Sequence, residues 1–170
     1  LALIRVGLRL EGVREWVWAL RGMDDRALLA AAEFAGRNEI WDRAINTADR
    51  TLLQHNFSLR YIAPFSAQVR PKADELALDN GWVYGLMRQE SRFVMNANSS
   101  AGARGLMQLM PATAQWVAKK INLTNYHLSR VTDMDVNVTL GTNYMKMVLE
   151  SLDNHPVLAS AAYNAGPGRA

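Results

Sequence analysis

One predicted helix, residues 81–94, carries an acid in the middle of its apolar face. At about 100° per residue, Glu90 falls in the same stripe as four apolar residues, Val83, Leu86, Met87 and Val94. A carboxyl group on a buried face has a raised pKa because a low dielectric disfavours its charged form. Such a glutamic acid can stay protonated for acid catalysis. The fold must therefore give Glu90 a catalytic cleft, the edge of a pocket, or an arginine from another segment.

A polar loop rich in small residues follows this helix. Residues 96–105 include Gly102 and Gly105, and glycine allows a backbone to approach a ligand closely. Pro111 is then well placed as the first residue of another helix. An acid-bearing helix, a glycine-containing loop and a second helix thus follow one another closely. This order favours the catalytic interpretation of Glu90.

Several sequence blocks occur in order along the chain. They are RQES (88–91), GARGLMQLMPATA (102–114), NVTLGTNY (137–144) and AAYNAGPGR (161–169). Together they resemble the signature blocks of soluble lytic transglycosylases, which cleave peptidoglycan and have a goose-lysozyme-like catalytic domain. The resemblance covers roughly residues 63–170 and extends more weakly over the N-terminal part. It implies peptidoglycan glycan strands as the substrate, no cofactor, and a periplasmic location.

The same resemblance implies roles for individual residues. Glu90 would be the catalytic acid, with the Tyr163 hydroxyl beside it. The positions matched to contacts with the glycan or with the acid are Ser99, Gln108, Met110, Tyr163 and Asn164. Ser91, Gly105 and Met107 would support local structure, backbone approach and the groove floor. Ordinary loop hydrogen bonding and core filling are the alternative explanations for the polar and methionine positions.

A usual glycosidase has two carboxylates at the scissile bond, and these blocks contain no second acid near Glu90. Asp79 and Asp133 are the nearest on each side and are interpreted as helix caps. The resemblance implies a route with one acid. Glu90 protonates the bond between N-acetylmuramic acid and N-acetylglucosamine, the acetamido group assists, and Glu90 then deprotonates the C6 hydroxyl to give a 1,6-anhydromuramoyl end. A lysozyme-like muramidase and a glycan-binding helical scaffold without turnover are the alternatives.

Apolar periodicity and capping signals predict an all-α chain. Helices are predicted over residues 1–22, 26–35, 39–49, 71–78, 81–94, 135–152 and 156–163 and from residue 111, with a less regular segment over 50–55. The short N-terminal helices resemble the hairpins of a helical solenoid, and the family resemblance implies that residues 1–63 are the end of an α-superhelical domain. It likewise implies that residues 64–170 are a lysozyme-like catalytic domain, incomplete at its C-terminus, and we therefore expect exposed apolar surface near residues 140–165. One continuous helical domain is the alternative.

Composition argues against several other functions. The 170 residues include no cysteine, which excludes disulfides, thiol catalysis and thiolate metal sites. The three histidines are far apart, so no metal site is predicted. The net charge of +3 is not gathered into one basic tract, so nucleic acid is not an expected partner. No apolar run reaches the roughly 20 residues of a membrane span, and residues 1–5 lack a signal-peptide pattern.

Overall fold

A computed structural model describes residues 1–169 of the chain. Within this range the regular structure is helical, with only isolated β-bridges, so the prediction of an all-α fold is confirmed. The chain divides into two compact units, one comprising Leu1–Ile62 and the other beginning at Ala63. No helix in the described part of the chain has both the length and the apolar character needed to cross a bilayer.

The first unit consists of short helices. They are α1 (Ala2–Arg5), α2 (Arg9–Ala19), α3 (Asp25–Arg37), α4 (Trp41–Ala48) and α5 (Phe57–Arg60). Helices α3 and α4 pack against each other through completely buried residues that include Ala32, Ala35 and Ala44. Small side chains at these positions let the two helices approach closely.

One helix prediction in this unit is wrong, and the less regular segment is not helical. The predicted helix over residues 1–22 is divided at Gly7, whose φ of +87° is a conformation that glycine adopts readily. Residues 50–55 form no helix, because the backbone N–H groups of residues 52–54 donate instead to the Asp25 carboxylate at 2.6–3.0 Å. These hydrogen bonds hold the pKa of Asp25 below its ordinary value.

The second unit is organised around its longest helix. Its elements are α6 (Ser66–Glu75), α7 (Asn80–Glu90), α8 (Pro111–Lys120), a 3₁₀ helix (Leu128–Arg130), α9 (Met134–Ser151) and α10 (Pro156–Ala165). Helix α9 packs against α6, α8 and α10 and buries Leu140, Met145 and Val148. The core of this unit therefore runs along α9.

Helix α6 begins earlier than the sequence predicted. It starts at Ser66, so Pro71 lies inside the helix rather than at its first position. Proline cannot donate the hydrogen bond of a helix interior. The helix nevertheless continues through it, and its Val69 and Ala73 side chains are completely buried. The burial of side chains on both sides of Pro71 thus outweighs the local preference of proline for the first position of a helix.

Helix α7 ends at Glu90 rather than continuing to residue 94. After it, Arg92 and Phe93 have φ values of +47° and +64°, which cost residues other than glycine about 1–3 kcal/mol each. The Ser91 hydroxyl stabilises this turn by donating to the Leu106 carbonyl oxygen at 2.7 Å and accepting the Phe93 N–H at 3.1 Å. Glu90 therefore lies at the end of a helix, and the turn after it is tied to the next loop.

The exposed apolar surface expected near residues 140–165 is narrower than predicted. On α10, Val157 and Leu158 are 70% and 42% exposed. On α9, by contrast, Leu140, Met145 and Val148 are buried because three helices cover them. The exposed part is thus a patch on α10 and not a face formed by both helices.

Candidate active site

The geometry of α7 fixes the position of Glu90. Asp79 caps the helix by accepting the Trp82 N–H at 2.8 Å. Val83 and Met87 are completely buried, and they lie seven and three residues before Glu90, on the same side of the helix. Glu90 is half-buried, and burial raises the pKa of its carboxyl group above the ordinary value. The raised pKa predicted from the apolar stripe is confirmed.

Glu90 and Asn164 together line two surface cavities. One has a volume of about 440 Å³, and the residues predicted to contact a ligand that line it are Ser99, Gln108, Met110, Tyr163 and Asn164. The other, of about 540 Å³, is lined by residues of α7 and α10 that include Trp82, Gly85 and Ser160. An extended ligand that passes Glu90 could therefore occupy space on both sides of the carboxyl group.

The described residues around Glu90 provide no second acid. Among the described residues that line the two cavities, Glu90 is the only one with a carboxyl group. Asp79 and Asp133 occupy the N-cap positions of α7 and α9, and the Asp133 carboxylate pairs with Arg130 at 3.0 Å. No group of three or more potential metal-binding side chains occurs within residues 1–169. The site offers acid–base chemistry by one carboxyl group.

Tyr163 reaches the 440 Å³ cavity from α10. Its hydroxyl donates to the Met107 carbonyl oxygen at 2.8 Å, and its ring centroid lies 5.0 Å from that of Tyr144. Burial raises the pKa of Tyr163 well above its ordinary value, and electrostatic repulsion by a Glu90 carboxylate raises it further. Tyr163 is therefore neutral beside Glu90, and its only hydroxyl proton is directed at Met107.

A buried amide on α9 holds the loop between α7 and α8. The Asn137 Oδ1 atom accepts the Met107 N–H at 2.8 Å. Its Nδ2 donates to the carbonyl oxygens of Arg104 at 3.1 Å and Val131 at 2.6 Å, and the residue is completely buried. Met107 is thus bound at its N–H by Asn137 and at its carbonyl by Tyr163. The loop and the tyrosine beside Glu90 are positioned by the same residue.

Two glycines allow α9 and the loop to come this close. A Cβ atom at Gly105 would lie 2.3 Å from Asn137 Nδ2, and one at Gly141 would lie 2.3 Å from Met107 Sδ. Both separations are far shorter than a non-bonded contact allows. Gly105 also has a φ of +81°, which glycine adopts at little cost. The role of Gly105 is therefore to admit the Asn137 side chain beneath the loop.

We expect Gly105→Ala to lower the free energy of unfolding by about 2–4 kcal/mol, through backbone strain and an overpacked contact. Gly102 is a matched control, because its φ is +94° and a Cβ atom there would meet nothing within 4 Å. Gly102→Ala should lose only the strain, about 1–2 kcal/mol. Urea denaturation measures both losses, and equal losses would contradict the proposed constraint by Asn137.

The predicted polar residues of the loop form local hydrogen bonds as well as lining the cavity. Ser99 Oγ accepts the Ala103 N–H at 3.0 Å. Gln108, at a φ of +44°, donates through Nε2 to the carbonyl oxygens of Ala97 at 3.1 Å and Gly105 at 2.8 Å. The hydroxyl proton of Ser99 and the side-chain oxygen of Gln108 are therefore the atoms that remain for a ligand.

The two predicted methionines occupy different environments. Met110 is 43% exposed and lines the cavity. Met107 is completely buried, and its side chain belongs to the core beside Gly141. Met107 serves the site through its backbone groups, and the groove-floor role implied for its side chain has no support in the geometry.

Two further residues of the site were not identified from the sequence. Tyr144 lines the cavity and contacts the Tyr163 ring, and Asn137 binds the loop. The available signal for Asn137 was its place in α9 among Val136, Val138 and Leu140. An amide in such an apolar segment must find hydrogen-bond partners when it is buried.

A family model described as the transglycosylase SLT domain matches residues 69–170. The chain belongs to this family. Soluble lytic murein transglycosylases are similar to it: that of Salmonella typhimurium is 31% identical over 160 residues, and that of Escherichia coli K12 is 28% identical over 156 residues. Each similarity covers 91% of this chain and 24% of the relative.

Solved structures of SLT relatives have a similar fold. The lytic transglycosylase Slt of Pseudomonas aeruginosa, solved as an inactive glutamate-to-glutamine mutant, is 33% identical with a TM-score of 0.89, over 99% of this chain and 27% of that one. The 70 kDa soluble lytic transglycosylase of Escherichia coli is 27% identical with a TM-score of 0.86, over 98% and 27%. The chain spans about a quarter of the length of these relatives. Its SLT match contains every predicted site residue.

Proposed function

We propose that the chain provides the active site of a peptidoglycan lytic transglycosylase. The reaction cleaves the β-1,4 bond between N-acetylmuramic acid and N-acetylglucosamine without water and leaves a 1,6-anhydromuramoyl end. The observation that carries the proposal is the half-buried carboxyl group of Glu90, with its raised pKa, which is the only acid among the described residues that line the two cavities. One acid must then serve in both halves of the reaction.

In the first half, protonated Glu90 donates its proton to the glycosidic oxygen as the bond from that oxygen to the anomeric carbon breaks. The oxygen of the 2-acetamido group stabilises the positive charge that develops at the anomeric carbon. In the second half, the Glu90 carboxylate removes the proton of the C6 hydroxyl, whose oxygen attacks the anomeric carbon and releases the acetamido oxygen. Glu90 is protonated again, and no water is consumed. Because attack is intramolecular, orientation contributes much of the rate.

The surroundings of Glu90 suit an acid that starts protonated. Burial raises the pKa of its carboxyl group. The neutral Tyr163 hydroxyl gives its proton to Met107, so it can meet Glu90 only as a hydrogen-bond acceptor. An acceptor at this place favours the protonated carboxylic acid over the carboxylate. Tyr163 is therefore proposed to hold the acid form of Glu90 ready for the first step.

The family relationship supports the same chemistry. The names of the similar proteins describe lytic transglycosylases that act on murein, and the Pseudomonas aeruginosa relative is inactive after a glutamate-to-glutamine change. We extend the substrate class and the need for one glutamate to this chain. Because peptidoglycan is the proposed substrate, we also propose a periplasmic location, next to the cell wall. Residues 64–170 would form the catalytic domain and residues 1–63 the end of a superhelical domain.

Product analysis tests the proposal directly. Purified peptidoglycan is digested with the protein in isotopically labelled water, and the products are analysed by mass spectrometry. We expect 1,6-anhydromuramoyl ends that carry no label. A muramidase would instead give reducing ends that carry the label, because water would replace the C6 hydroxyl. A glycan-binding scaffold would give no new ends. Either of the last two outcomes would overturn the proposal, and a digest with the Glu90→Gln variant controls for contaminating enzymes.

A further inference from the structure

One tryptophan stands exposed at the border of the 440 Å³ cavity. Trp116 on α8 is 46% exposed, although aromatic side chains of this size usually bury most of their surface. Its ring meets the ring of Tyr144 edge to face, at a centroid distance of 6.4 Å and an interplanar angle of 87°. Tyr144 lines the cavity. Trp116 is therefore one side chain away from the space beside Glu90.

The same side of α8 leads out of the cavity. Met110 and Thr113, at the start of the helix, line the cavity. At about 100° per residue, positions 113, 116 and 120 lie within about 60° of one another. The stripe thus continues from the cavity wall at Thr113 to Trp116, and then to Lys120. Its far end is about 10 Å from Thr113 along the helix axis.

A positive charge lies at the end of this stripe. The Lys120 ammonium group is 5.8 Å from the centroid of the Trp116 ring, within the range of a cation–π interaction. This contact leaves nearly half of the Trp116 residue accessible. Lys120 is exposed and forms no ion pair with any described acid. An accessible aromatic face beside an unneutralised cation suits a ligand with apolar sugar faces and carboxylates.

We propose that Trp116 and Lys120 extend the cleft as a distal platform for the glycan strand, with a sugar ring stacked on the Trp116 indole. Carboxylates on the peptide substituents of the same strand lie near the Lys120 ammonium group. The inference rests on the proposed function for the identity of the strand, but it concerns binding and not the chemical step. A short ligand that fills only the cavity does not reach this platform, whereas a long one does.

The test compares ligands of two lengths in the Glu90→Gln background, where no cleavage occurs. We expect Trp116→Ala to weaken binding of a long N-acetylglucosamine oligomer by about tenfold, a common loss for a truncated aromatic anchor, and to leave binding of the disaccharide unchanged. Titration calorimetry measures both. Equal binding of the long oligomer by the variant and its parent would overturn the platform. An equal loss for both ligands would also overturn it, because that would indicate a general disturbance of the cavity.

Matched variants separate stacking, charge and folding. Gln115→Ala and Lys119→Gln alter exposed residues that line a different surface cavity, and both should bind every ligand normally.

Lys120→Gln should weaken binding only of strands that carry peptide carboxylates, and an equal effect on the neutral oligomer would refute its electrostatic role. Trp116→Leu keeps an apolar contact with Tyr144 and should show the same loss for the long ligand if Trp116→Ala fails to fold. If digestion yields no anhydromuramoyl ends but binding still depends on Trp116, the platform stands and only the proposed chemistry fails.

Discussion

Glu90→Gln is expected to reduce peptidoglycan cleavage by about 10²–10⁴-fold, the range that positioned acid–base groups contribute. The loss should lie at the upper end, because the amide can neither donate a proton to the glycosidic oxygen nor accept one from the C6 hydroxyl. Glutamine has nearly the same shape, so binding of a disaccharide should be retained. Release of soluble muropeptides from purified sacculi gives the rate, and titration calorimetry gives the affinity.

Glu75→Gln is the matched control for this variant. Glu75 is likewise the last residue of its helix, α6, but it is exposed and lines neither cavity beside Glu90. Its substitution should leave the cleavage rate within about twofold. The side chain lies outside the cavities beside Glu90, and surface substitutions rarely change stability by more than about 0.5 kcal/mol. If Glu90→Gln retained as much activity as Glu75→Gln, the single-acid mechanism would be wrong.

The raised pKa of Glu90 suits acid catalysis, but it lowers the stability of the folded protein at neutral pH. Its folded-state pKa lies above the unfolded value because burial disfavours the carboxylate. The contribution of this group is therefore most favourable below the unfolded pKa, and it is lost as the pH rises through the folded pKa. We expect Glu90→Gln to melt at a higher temperature than the parent at neutral pH and at the same temperature near pH 4, as followed by circular dichroism. A glutamate that opposes folding under working conditions indicates selection for chemistry.

Helix positions were predictable from the sequence wherever local chemistry decides them. Asp79 caps α7, and prolines open α8 and α10 at Pro111 and Pro156, as the capping rules require. Pro71 is the exception, because burial of its neighbours Val69 and Ala73 carries α6 through it. The end of α7 was also missed, since the turn at Arg92 depends on a hydrogen bond from Ser91 to a carbonyl fifteen residues later. Contacts between distant segments are not visible in a local pattern.

The residues of the candidate site likewise divide into those that a local sequence pattern reveals and those that depend on contacts between distant segments. Helical periodicity places Glu90 on the side of α7 that carries Val83 and Met87, which are buried in the structure, and the family resemblance then implied its catalytic role. The constraint on Tyr163 could not be derived from periodicity, because its hydroxyl binds a carbonyl 56 residues away. Asn137 was missed for a related reason. Its three partners belong to two loops that come together only when α9 packs beneath them.

Asn137→Ala is expected to lower the free energy of unfolding by about 3–5 kcal/mol. The substitution leaves the Met107 N–H and the Val131 carbonyl oxygen buried without the partners that Asn137 supplies, whereas the Arg104 carbonyl oxygen keeps the Leu109 N–H at 3.0 Å. Each unsatisfied group costs about 1–3 kcal/mol. Domains of this kind are stable by only about 5–15 kcal/mol, so the effect is a large share of the total. Urea denaturation followed by circular dichroism measures it.

Asn143→Ala provides the control on the same helix. Asn143 is half-buried, and its amide donates only to the Thr139 carbonyl of its own helix at 2.9 Å. Its loss should cost about 1 kcal/mol or less. Equal destabilisation by the two alanine variants would show that the three bonds of Asn137 do not hold the loop.

Asn137→Asp tests the acceptor oxygen and the donor nitrogen of the Asn137 amide separately. Aspartate keeps the oxygen that accepts the Met107 N–H, but it replaces the donor with a second acceptor that faces the Arg104 and Val131 carbonyl oxygens. Burial and these oxygens favour its protonated form, which can donate one hydrogen bond. Its stability and its cleavage activity, both impaired at neutral pH, should therefore recover as the pH falls, whereas those of Asn137→Ala should not. Asn137 holds Met107, whose carbonyl oxygen accepts the Tyr163 hydroxyl, so activity should return together with stability. Stability that returns without activity would contradict a positioning role for Asn137.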